Sequence, residues 1–335
     1  MTFRGWWIEK SEDSEGNARQ SARLTDLELD MLGEGDTVVN VAASSINYKD
    51  ALALTGGSGI VHTWPLVPGI DVVGTVRSSD SGRWMPGDHV LQNGAGLGEN
   101  KHGGLAEVAR VDGDQLVGVP QRFTPTQAAA IGTAGFTAML AVLAIEKHGV
   151  TPSDGPVLVT GAAGGVGSVT IALLGHLGYE VVASTSRGDT EGEYLRHLGA
   201  SRILDRHELS EQAGKPLQSQ SWSAVADAVG STTLANALAQ TRYGGIVTAC
   251  GLAQGADLPA TVVPFILRGI TLAGINSVDA PHELREEAWT RLAQNLDTDL
   301  LDEMTEVYAL ADARSVADQV LASTIRGRAV IDVTQ

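Results

Sequence analysis

The sequence predicts an α/β protein of two domains, one rich in β-strands and one built on a doubly wound parallel sheet. Three observations support this prediction. The 335 residues provide for about two domains of roughly 150 residues each. Short β-branched runs fill the first third of the chain, and beyond it strands and helices alternate. Such alternation is typical of a parallel sheet covered by helices.

The first third of the chain carries the strand signals of the β-rich domain. Gly-Asp, Pro-Gly and Asp-Gly pairs, which are typical of turns, bound four short runs, at residues 37–42, 70–76, 89–91 and 105–111. We expect a compact β-rich unit here, with one short helix near residues 47–54.

The remainder of the chain alternates between helices and strands. One helix is expected to start at Thr124-Pro125, because threonine caps helices and proline fits the first helical position. A second helix follows over 133–147. A strand at 156–160, a glycine loop, an apolar helix and a strand at 181–184 then form a βαβ unit. Four further strands are predicted, at 202–204, 222–229, 245–250 and 270–275.

The last part of the chain is expected to return to the β-rich domain. Helices are predicted at 282–296 and 315–323, and a final strand at 329–333 has the composition to pair with the first unit. We therefore predict one domain from residues 1–123 and 280–335, and a second domain from residues 124–279.

Composition excludes several classes of protein. The formal net charge is −17 at pH 7, which argues against broad contact with nucleic acid or an anionic membrane. The single cysteine, Cys250, excludes an intrachain disulfide and a zinc site of several thiolates. The first residues lack the apolar core of a signal peptide, and the apolar runs are too short to span a membrane. We expect a cytoplasmic protein that acts on a small molecule.

The glycine loop is the strongest sign of a ligand. Gly161-Ala-Ala-Gly-Gly-Val-Gly lies directly between a predicted strand and an apolar helix. Glycine permits positive φ in the turn, lets a pyrophosphate approach the backbone, and lets helix and strand pack closely. The amides at the helix start then face the phosphates. The spacing differs from the strict G-x-G-x-x-G pattern, so an ordinary glycine-rich turn is the alternative; the placement favours a dinucleotide site.

The end of the next strand indicates which dinucleotide is bound. An NAD site usually has a carboxylate there to hold the ribose diol. This chain has Ser184-Thr-Ser-Arg187 instead, and Glu180 lies at the opposite end of the strand. Hydroxyls followed by a guanidinium suit a 2′-phosphate, and Arg206 is placed to contribute from the next strand. The pattern favours NADPH, with a solvated loop arginine as the alternative for Arg187.

A second polar segment, Ser44-Ser-Ile-Asn-Tyr-Lys-Asp50, places four functional side chains in one short turn and helix. Helix capping and solvation explain such a segment equally well. A metal site is not predicted, because Asp71, His62, His89 and His102 show no recurring ligand spacing and no cysteine accompanies them.

These residues resemble the NADPH-dependent acrylyl-CoA reductase family, in the zinc-free, quinone oxidoreductase-like branch of the medium-chain dehydrogenase/reductase superfamily. The matching strings span nearly the whole chain in order. They are Ser44-Ser-Ile-Asn-Tyr-Lys-Asp-Ala-Leu, Pro68-Gly-Ile-Asp-Val-Val-Gly-Thr-Val, Gly98-Glu-Asn-Lys-His-Gly-Gly-Leu-Ala-Glu, Gly132-Thr-Ala-Gly-Phe-Thr-Ala-Met-Leu, Thr160-Gly-Ala-Ala-Gly-Gly-Val-Gly-Ser, Thr241-Arg-Tyr-Gly-Gly and Leu258-Pro-Ala-Thr-Val-Val-Pro-Phe-Ile-Leu-Arg.

The resemblance implies a GroES-like β-rich catalytic domain and a Rossmann NADPH-binding domain, in a homodimer. It places Tyr48 near the nicotinamide. The other implied cofactor contacts are Ala163, Gly164, Gly165 and Val166 for the phosphates, Thr185, Ser186, Arg187 and Arg206 for the adenosine phosphate, and Leu258, Ile266 and Ser277 beside the nicotinamide. The chain departs from the family at Gly94-Ala-Gly-Leu-Gly, which lacks the usual tryptophan, and at 11–19, which we expect to be a solvated loop.

The resemblance also implies the reaction, which is NADPH-dependent reduction of acrylyl-CoA to propionyl-CoA. Tyr48 is then the positioning group and a candidate proton source, with Asn47 and Asp50 orienting the local network. Tyr48 as a cofactor clamp, with solvent as proton source, is the alternative. The coenzyme A phosphates require cations, and the candidates are Lys101, Arg268, Arg326 and Arg328. The alternative is that these four residues are scattered surface charges.

Two other functions remain open for the same sequence. An NADPH:quinone or alkenal reductase would share the fold and the cofactor but would act on small conjugated carbonyls. A structural or sensor protein that binds NADPH without turnover, like some zinc-free relatives in this superfamily, is the other alternative.

Overall fold

The computed structural model describes residues 2–12, 18–57 and 59–335. The chain forms two compact units. Unit 1 comprises Met1–Thr133, Ser277–Ala293 and Leu301–Gln335, and unit 2 comprises Ala134–Asn276 and Gln294–Leu300. The mixture of an antiparallel-rich unit and a parallel-sheet unit confirms the predicted α/β fold class.

The regular elements are numbered in chain order. The strands are β1 (Thr2–Glu12), β2 (Ala18–Glu28), β3 (Thr37–Ser45), β4 (Asp71–Ser79), β5 (His89–Asn93), β6 (Val108–Val111), β7 (Val117–Gly118), β8 (Val157–Thr160), β9 (Val181–Thr185), β10 (Ala200–Asp205), β11 (Trp222–Asp227), β12 (Thr241–Ala249), β13 (Thr271–Gly274), β14 (Thr305–Ala309) and β15 (Arg328–Asp332). The α-helices are α1 (Tyr48–Thr55), α2 (Pro125–Lys147), α3 (Gly165–His176), α4 (Gly188–His197), α5 (His207–Ser210), α6 (Ser231–Gln240), α7 (Val263–Arg268), α8 (His282–Asn295), α9 (Thr298–Glu303) and α10 (Ala313–Leu321).

Unit 1 is organised around a seven-stranded sheet in the order β14-β15-β3-β4-β5-β7, with β6 also paired to β3. All pairs are antiparallel except β14 with β15. The last strand of the chain therefore pairs with β3, near Ser44 and Ser45. A core of alternating apolar residues lies against this sheet and includes Val39, Val72 and Ile331. The pairing sets the ends of β3, β4, β5 and β15 near one another.

The hairpin of β1 and β2 was not expected from the sequence. Its two strands pair in antiparallel register, and the backbone N–H groups of Trp6 and Ile8 donate to the carbonyls of Leu105 and Leu66. The sequence predicts a solvated loop at 11–19. This prediction is wrong at both ends of the segment, because β1 extends to Glu12 and β2 starts at Ala18. Residues 13–17 lie outside the described residues.

Helix α2 is kinked at Gly132, where φ is 46° and ψ is −158°. The kink separates the two helices that the sequence predicts on either side of residue 132. By length and composition α2 is the one helix among the described residues that could cross a membrane, but 94% of its most apolar window is buried inside the protein. This burial is that of a core helix.

Unit 2 contains a six-stranded, wholly parallel sheet in the order β10-β9-β8-β11-β12-β13. From β8 the chain winds outward through β9 to β10 and then crosses back to β11 on the other side of β8. The strand order thus reverses between β8 and β11, and ligands of such sheets bind at the carboxyl ends of the strands at this point. Buried side chains such as Leu158, Val182 and Val225 fill the core beneath.

Candidate functional site

The glycine loop joins β8 to α3 at the reversal of strand order. Gly161 has a φ of 62°, a conformation that glycine adopts without strain. The N–H of Gly164 donates to the Gly161 carbonyl at 3.0 Å and closes the turn. A Cβ on Gly167 would lie 2.4 Å from the Gly161 oxygen and 2.7 Å from Cα of Ala162. The loop can keep this shape only with glycine at position 167.

Helix α3 starts directly from this loop, at Gly165, with Gly164 as its N-cap. The first N–H groups of a helix have no acceptor within the helix, and the peptide dipoles make this end positive. Gly164 is exposed, Gly165 and Val166 are half-buried, and Ala163 is buried. The loop therefore presents backbone donors to an anion without an intervening side chain.

The ends of β9 and β10 lie beside this loop. Thr185 Oγ1 accepts from the N–H of Arg187 at 3.0 Å, and Arg187 Nη2 donates to the Ala163 carbonyl at 3.3 Å. The N–H of Arg206 donates to the Thr185 carbonyl at 3.1 Å. Ser186 and the Arg206 side chain are exposed. The structure thus brings together the residues that the sequence selected for the adenosine phosphate.

Asp227, at the end of β11, is a buried carboxylate that the sequence analysis did not identify. Its Oδ1 accepts from Thr160 Oγ1 at 2.6 Å and its Oδ2 from the N–H of Gly230 at 2.8 Å. Burial raises the pKa of Asp227, partly offset by these hydrogen bonds. Cys250 Sγ donates to the Asp227 carbonyl at 3.3 Å. Burial and then the charge of Asp227 raise the pKa of the Cys250 thiol to about 12, so the thiol is neutral near pH 7.

The candidate catalytic segment of unit 1 is a capped helix start. Asn47 is the N-cap of α1, and Tyr48 is its first residue, with 56% of its surface exposed. Asp50 Oδ2 accepts from the Asn47 N–H at 2.8 Å and from Asn47 Nδ2 at 3.1 Å, and Asp50 Oδ1 accepts from the N–H of Ile70 at 2.8 Å. Burial and then the charge of Asp71 raise the pKa of Asp50 to about 7.

The buried carboxylate of Asp71 organises the surroundings of that segment. Its Oδ2 accepts from Ser45 Oγ at 2.5 Å and from Asn47 Nδ2 at 2.8 Å. Its Oδ1 accepts from Asn93 Nδ2 at 2.8 Å and from the backbone N–H and the hydroxyl of Thr133 at 2.8 and 2.7 Å. One side chain therefore joins the ends of β3 and β5, the cap of α1 and the kink of α2.

Arg328 completes this network from the first residue of β15. It is 3% exposed, and its guanidinium donates to Ser45 Oγ at 3.1 Å, to Asn47 Oδ1 at 3.2 Å and to the Ala130 carbonyl at 2.5 Å. Burial lowers the pKa of Arg328, opposed by the charge of Asp71 and then by that of Asp50. The expectation that Arg328 is a surface cation for phosphates is therefore wrong.

Arg268 is also unsuited to that task. Its guanidinium donates to the carbonyls of Ala239 at 2.8 Å, Thr241 at 2.9 Å and Gln218 at 2.5 Å. These bonds hold it against the backbone of unit 2. Lys101 and Arg326, the other two predicted cations, are exposed.

Lys49, next to Tyr48 in the same segment, forms an ion pair. Its Nζ lies 2.8 Å from Glu99 Oε1, and the Glu99 carbonyl accepts from the N–H of His62. This ion pair fixes the Lys49 ammonium against the loop that follows β5. The tyrosine beside it is the more accessible group.

The residues expected beside the nicotinamide lie on three segments. Leu258 and Ile266 belong to unit 2 and are 42% and 72% exposed. Ser277 is half-buried in unit 1, where its carbonyl accepts from Arg285 Nη2 at 3.0 Å. Arg285 also donates to the carbonyl of Asn93 at 2.7 Å. The buried Arg285 therefore ties the Ser277 segment to the residue that supports Asp71.

The described part of the chain contains no candidate metal centre. No group of three or more His, Cys, Asp or Glu side chains there is placed to hold a metal ion. The groups that donate to the Asp71 carboxylate are hydroxyls and amides.

Together, the fold and the glycine loop define an oxidoreductase of the medium-chain dehydrogenase/reductase type, and the family comparisons agree. Residues 33–121 match the alcohol dehydrogenase GroES-like domain, and residues 165–294 match the zinc-binding dehydrogenase domain. The chain is 47% identical over 331 residues to the acrylyl-CoA reductase AcuI of Ruegeria pomeroyi, covering 99% of each protein. The chain belongs to the acrylyl-CoA reductase family, as the sequence resemblance predicted.

Two solved structures are similar over nearly their full length. Escherichia coli YhdH with bound NADPH has a TM-score of 0.93 and 47% identity, covering 98% of this chain and 99% of that one. Bacillus subtilis YhfP with NAD bound has a TM-score of 0.94 and 39% identity, covering 99% and 100%. YhfP is named a putative quinone oxidoreductase, and its sequence is 41% identical to this chain over 98% of each protein.

Proposed function

We propose that this chain catalyses the NADPH-dependent reduction of acrylyl-CoA to propionyl-CoA. The observation that carries the proposal is a strand end without a carboxylate, Thr185–Arg187, beside the glycine loop of a chain 47% identical to an acrylyl-CoA reductase. Hydroxyl and guanidinium groups at this position suit the 2′-phosphate that distinguishes NADPH from NADH.

The residues of unit 2 fit the cofactor. Backbone donors at the start of α3 suit a pyrophosphate, and Gly167 leaves space that a Cβ would fill. We assign the NADPH-binding domain, predicted at residues 124–279, to unit 2, and the β-rich catalytic domain, predicted at residues 1–123 and 280–335, to unit 1. The unit bounds differ from the predicted ones, because residues 124–133 and 277–279 belong to unit 1 and residues 294–300 to unit 2. The cofactor-binding residues that we propose are Tyr48, Ala163, Gly164, Gly165, Val166, Thr185, Ser186, Arg187, Arg206, Leu258, Ile266 and Ser277.

When bound, NADPH supplies a hydride to the β-carbon of the acrylyl group. Negative charge then develops on the thioester oxygen, and the α-carbon takes a proton, so a hydrogen-bond donor and a proton source are required. Tyr48, which is exposed at a capped helix start, is the residue that we propose for either task. Asn47 and Asp50 hold that start through their mutual hydrogen bonds.

Tyr48→Phe tests whether the Tyr48 hydroxyl is the proton source or whether Tyr48 only holds the cofactor. Loss of a proton donor is expected to lower kcat by about 10²- to 10⁴-fold while the Kd for NADPH is kept. Unchanged turnover would remove the acid role and leave solvent as the proton source, with Tyr48 as a cofactor clamp.

The acceptor is tested by following NADPH oxidation with acrylyl-CoA, with a simple quinone and with no acceptor. Oxidation that is fastest with acrylyl-CoA is expected. Activity with the quinone alone would support a quinone-type reductase, which the 41% identity to YhfP favours as the second candidate. Tight NADPH binding with no turnover would indicate a protein that binds the cofactor without catalysis.

The remaining features follow the same proposal. We propose a zinc-independent, cytoplasmic homodimer that acts on a short enoyl-CoA or conjugated carbonyl without nucleic-acid or membrane partners. Activity unaffected by a metal chelator and a mass of twice 34.9 kDa in solution are the expected results. A chelator-sensitive or monomeric enzyme would contradict these two points.

A further inference from the structure

The carboxylate of Asp205 lies close to the proposed 2′-phosphate site, where a negative charge is unfavourable for binding. Strands β9 and β10 are parallel neighbours, and their last residues, Thr185 and Asp205, are directly paired in register. The next residue, Arg206, donates its N–H to the Thr185 carbonyl at 3.1 Å. The edge that carries the hydroxyl and guanidinium groups thus also carries an exposed acid, on the strand next to the usual position.

This acid is engaged by the residue two positions further on. His207 donates its backbone N–H to Asp205 Oδ1 at 3.0 Å, and its ring Nδ1 lies 2.8 Å from the same oxygen. The backbone bond and then the ring bond hold the pKa of Asp205 below its usual value, so the carboxylate is ionised and only accepts. The ring nitrogen Nδ1 must therefore carry a hydrogen.

An ionised carboxylate has opposite effects on the two nucleotides. It repels the negative charges of a 2′-phosphate, whereas it accepts hydrogen bonds from the free 2′-hydroxyl of NADH. A carboxylate oxygen that is occupied by a ring N–H is less available to a ribose, and its orientation is set by that bond. The charge of Arg206, the residue between Asp205 and His207, also acts on this carboxylate.

We propose that the Asp205–His207 pair is a specificity element for the 2′ position of the nucleotide. Asp205 lowers the preference for NADPH over NADH. His207 binds the carboxylate and so partly restores that preference. The inference rests on the proposed NADPH site and adds to it an acidic residue and its partner, which together determine how far the enzyme discriminates between the two cofactors.

Four proteins test this pair through their Kd values for NADPH and NADH, measured by calorimetry. Asp205→Asn is expected to raise the preference for NADPH roughly three- to tenfold, because a negative charge is lost. His207→Ala keeps the backbone bond, frees the carboxylate from the ring, and is expected to lower the preference about two- to fivefold. In the double variant the loss of the ring is expected to have no further effect, since no carboxylate remains for it to bind.

Glu208→Gln is the matched control, because it removes an exposed negative charge from the same short helix without touching the pair. Its preference is expected to stay within about twofold of wild type. An equal effect of Glu208→Gln and Asp205→Asn, or additive effects in the double variant, would overturn the inference. Wild-type protein that binds neither nucleotide, or prefers NADH, would instead overturn the proposed function, so the two failures are distinguishable.

Discussion

The side-chain amide of Asn47 donates to the buried carboxylate of Asp71 at 2.8 Å. This bond links the start of the helix that carries Tyr48 to a side chain that also binds the ends of two strands and the kink of α2. The helix start that carries the exposed tyrosine is therefore held by a buried network of hydrogen bonds around Asp71. Substitutions in that network are expected to lower the free energy of unfolding.

The first prediction concerns Asp71 itself. Asp71→Asn leaves its donors short of acceptors and removes the stronger of the two carboxylate charges, those of Asp71 and Asp50, that act on the buried Arg328. We expect a loss of about 3 kcal/mol in the free energy of unfolding. Urea unfolding measures it, and the exposed Asp80→Asn, just beyond the other end of β4, is the control, with a change within about 0.5 kcal/mol. A loss under about 1 kcal/mol for Asp71→Asn would show that the network contributes little.

The second prediction concerns the pH dependence of stability that Asp50 produces. Its pKa is raised from 3.8 to about 7 in the folded chain. Between about pH 4 and 7 the folded state therefore binds more protons at this site than the unfolded state, so stability falls as the pH rises. Wild-type protein is expected to lose up to about 1.4 kcal/mol per pH unit relative to Asp50→Asn, and to lose no more above about pH 8.

Urea unfolding of both proteins at about pH 5, 6, 7 and 8 measures this difference. Asp80→Asn reports the effect of removing an exposed aspartate from the same unit. A stability difference from Asp50→Asn that stays constant over this range would mean that Asp50 is ionised in the folded chain throughout and acts there as a charged helix cap.

The parallel-sheet unit was the more predictable part of the fold, because its signals are local. Glycine and proline bound its strands. A local signal also marks the boundary with unit 1, where Gly132 divides α2 and the sequence predicts two helices. The hairpin of β1 and β2 gave no such signal, since it is stabilised by distant partners such as Leu66 and Leu105. Contacts with residues so far away in the chain leave no periodic pattern in the sequence of the hairpin itself.

The candidate site divides in the same way. The capping pair Asn47 and Asp50 is three residues apart and visible in the sequence. The partners of Asp71 are not, because Ser45, Asn93 and Thr133 come from separate elements. Arg328 was misjudged as a surface cation, since charge is evident from sequence and burial is not.

The third prediction concerns the shape of the glycine loop. Gly167→Ala places a Cβ 2.4 Å from the Gly161 oxygen, so the turn must open and the first amides of α3 must move. We expect the Kd for NADPH to rise at least about tenfold, measured by calorimetry. Gly192→Ala is the control, because its Cβ would make ordinary contacts with two side chains, those of Arg196 at 3.4 Å and Ile203 at 3.8 Å. An unchanged Kd for Gly167→Ala would exclude this loop as the phosphate site.

The fourth prediction concerns the reactivity of Cys250, the single cysteine of the chain. Its raised pKa of about 12 keeps the thiol protonated, and only the thiolate attacks a disulfide reagent. At about pH 8 the native protein is expected to react at least about 100-fold more slowly than the same protein unfolded in urea. Ser78→Cys, made in a Cys250→Ser background, is the matched control, because position 78 is exposed and is expected to react rapidly in the native state. Rapid labelling of native Cys250 would mean that its thiol is open to solvent and that the Asp227 carbonyl does not hold it.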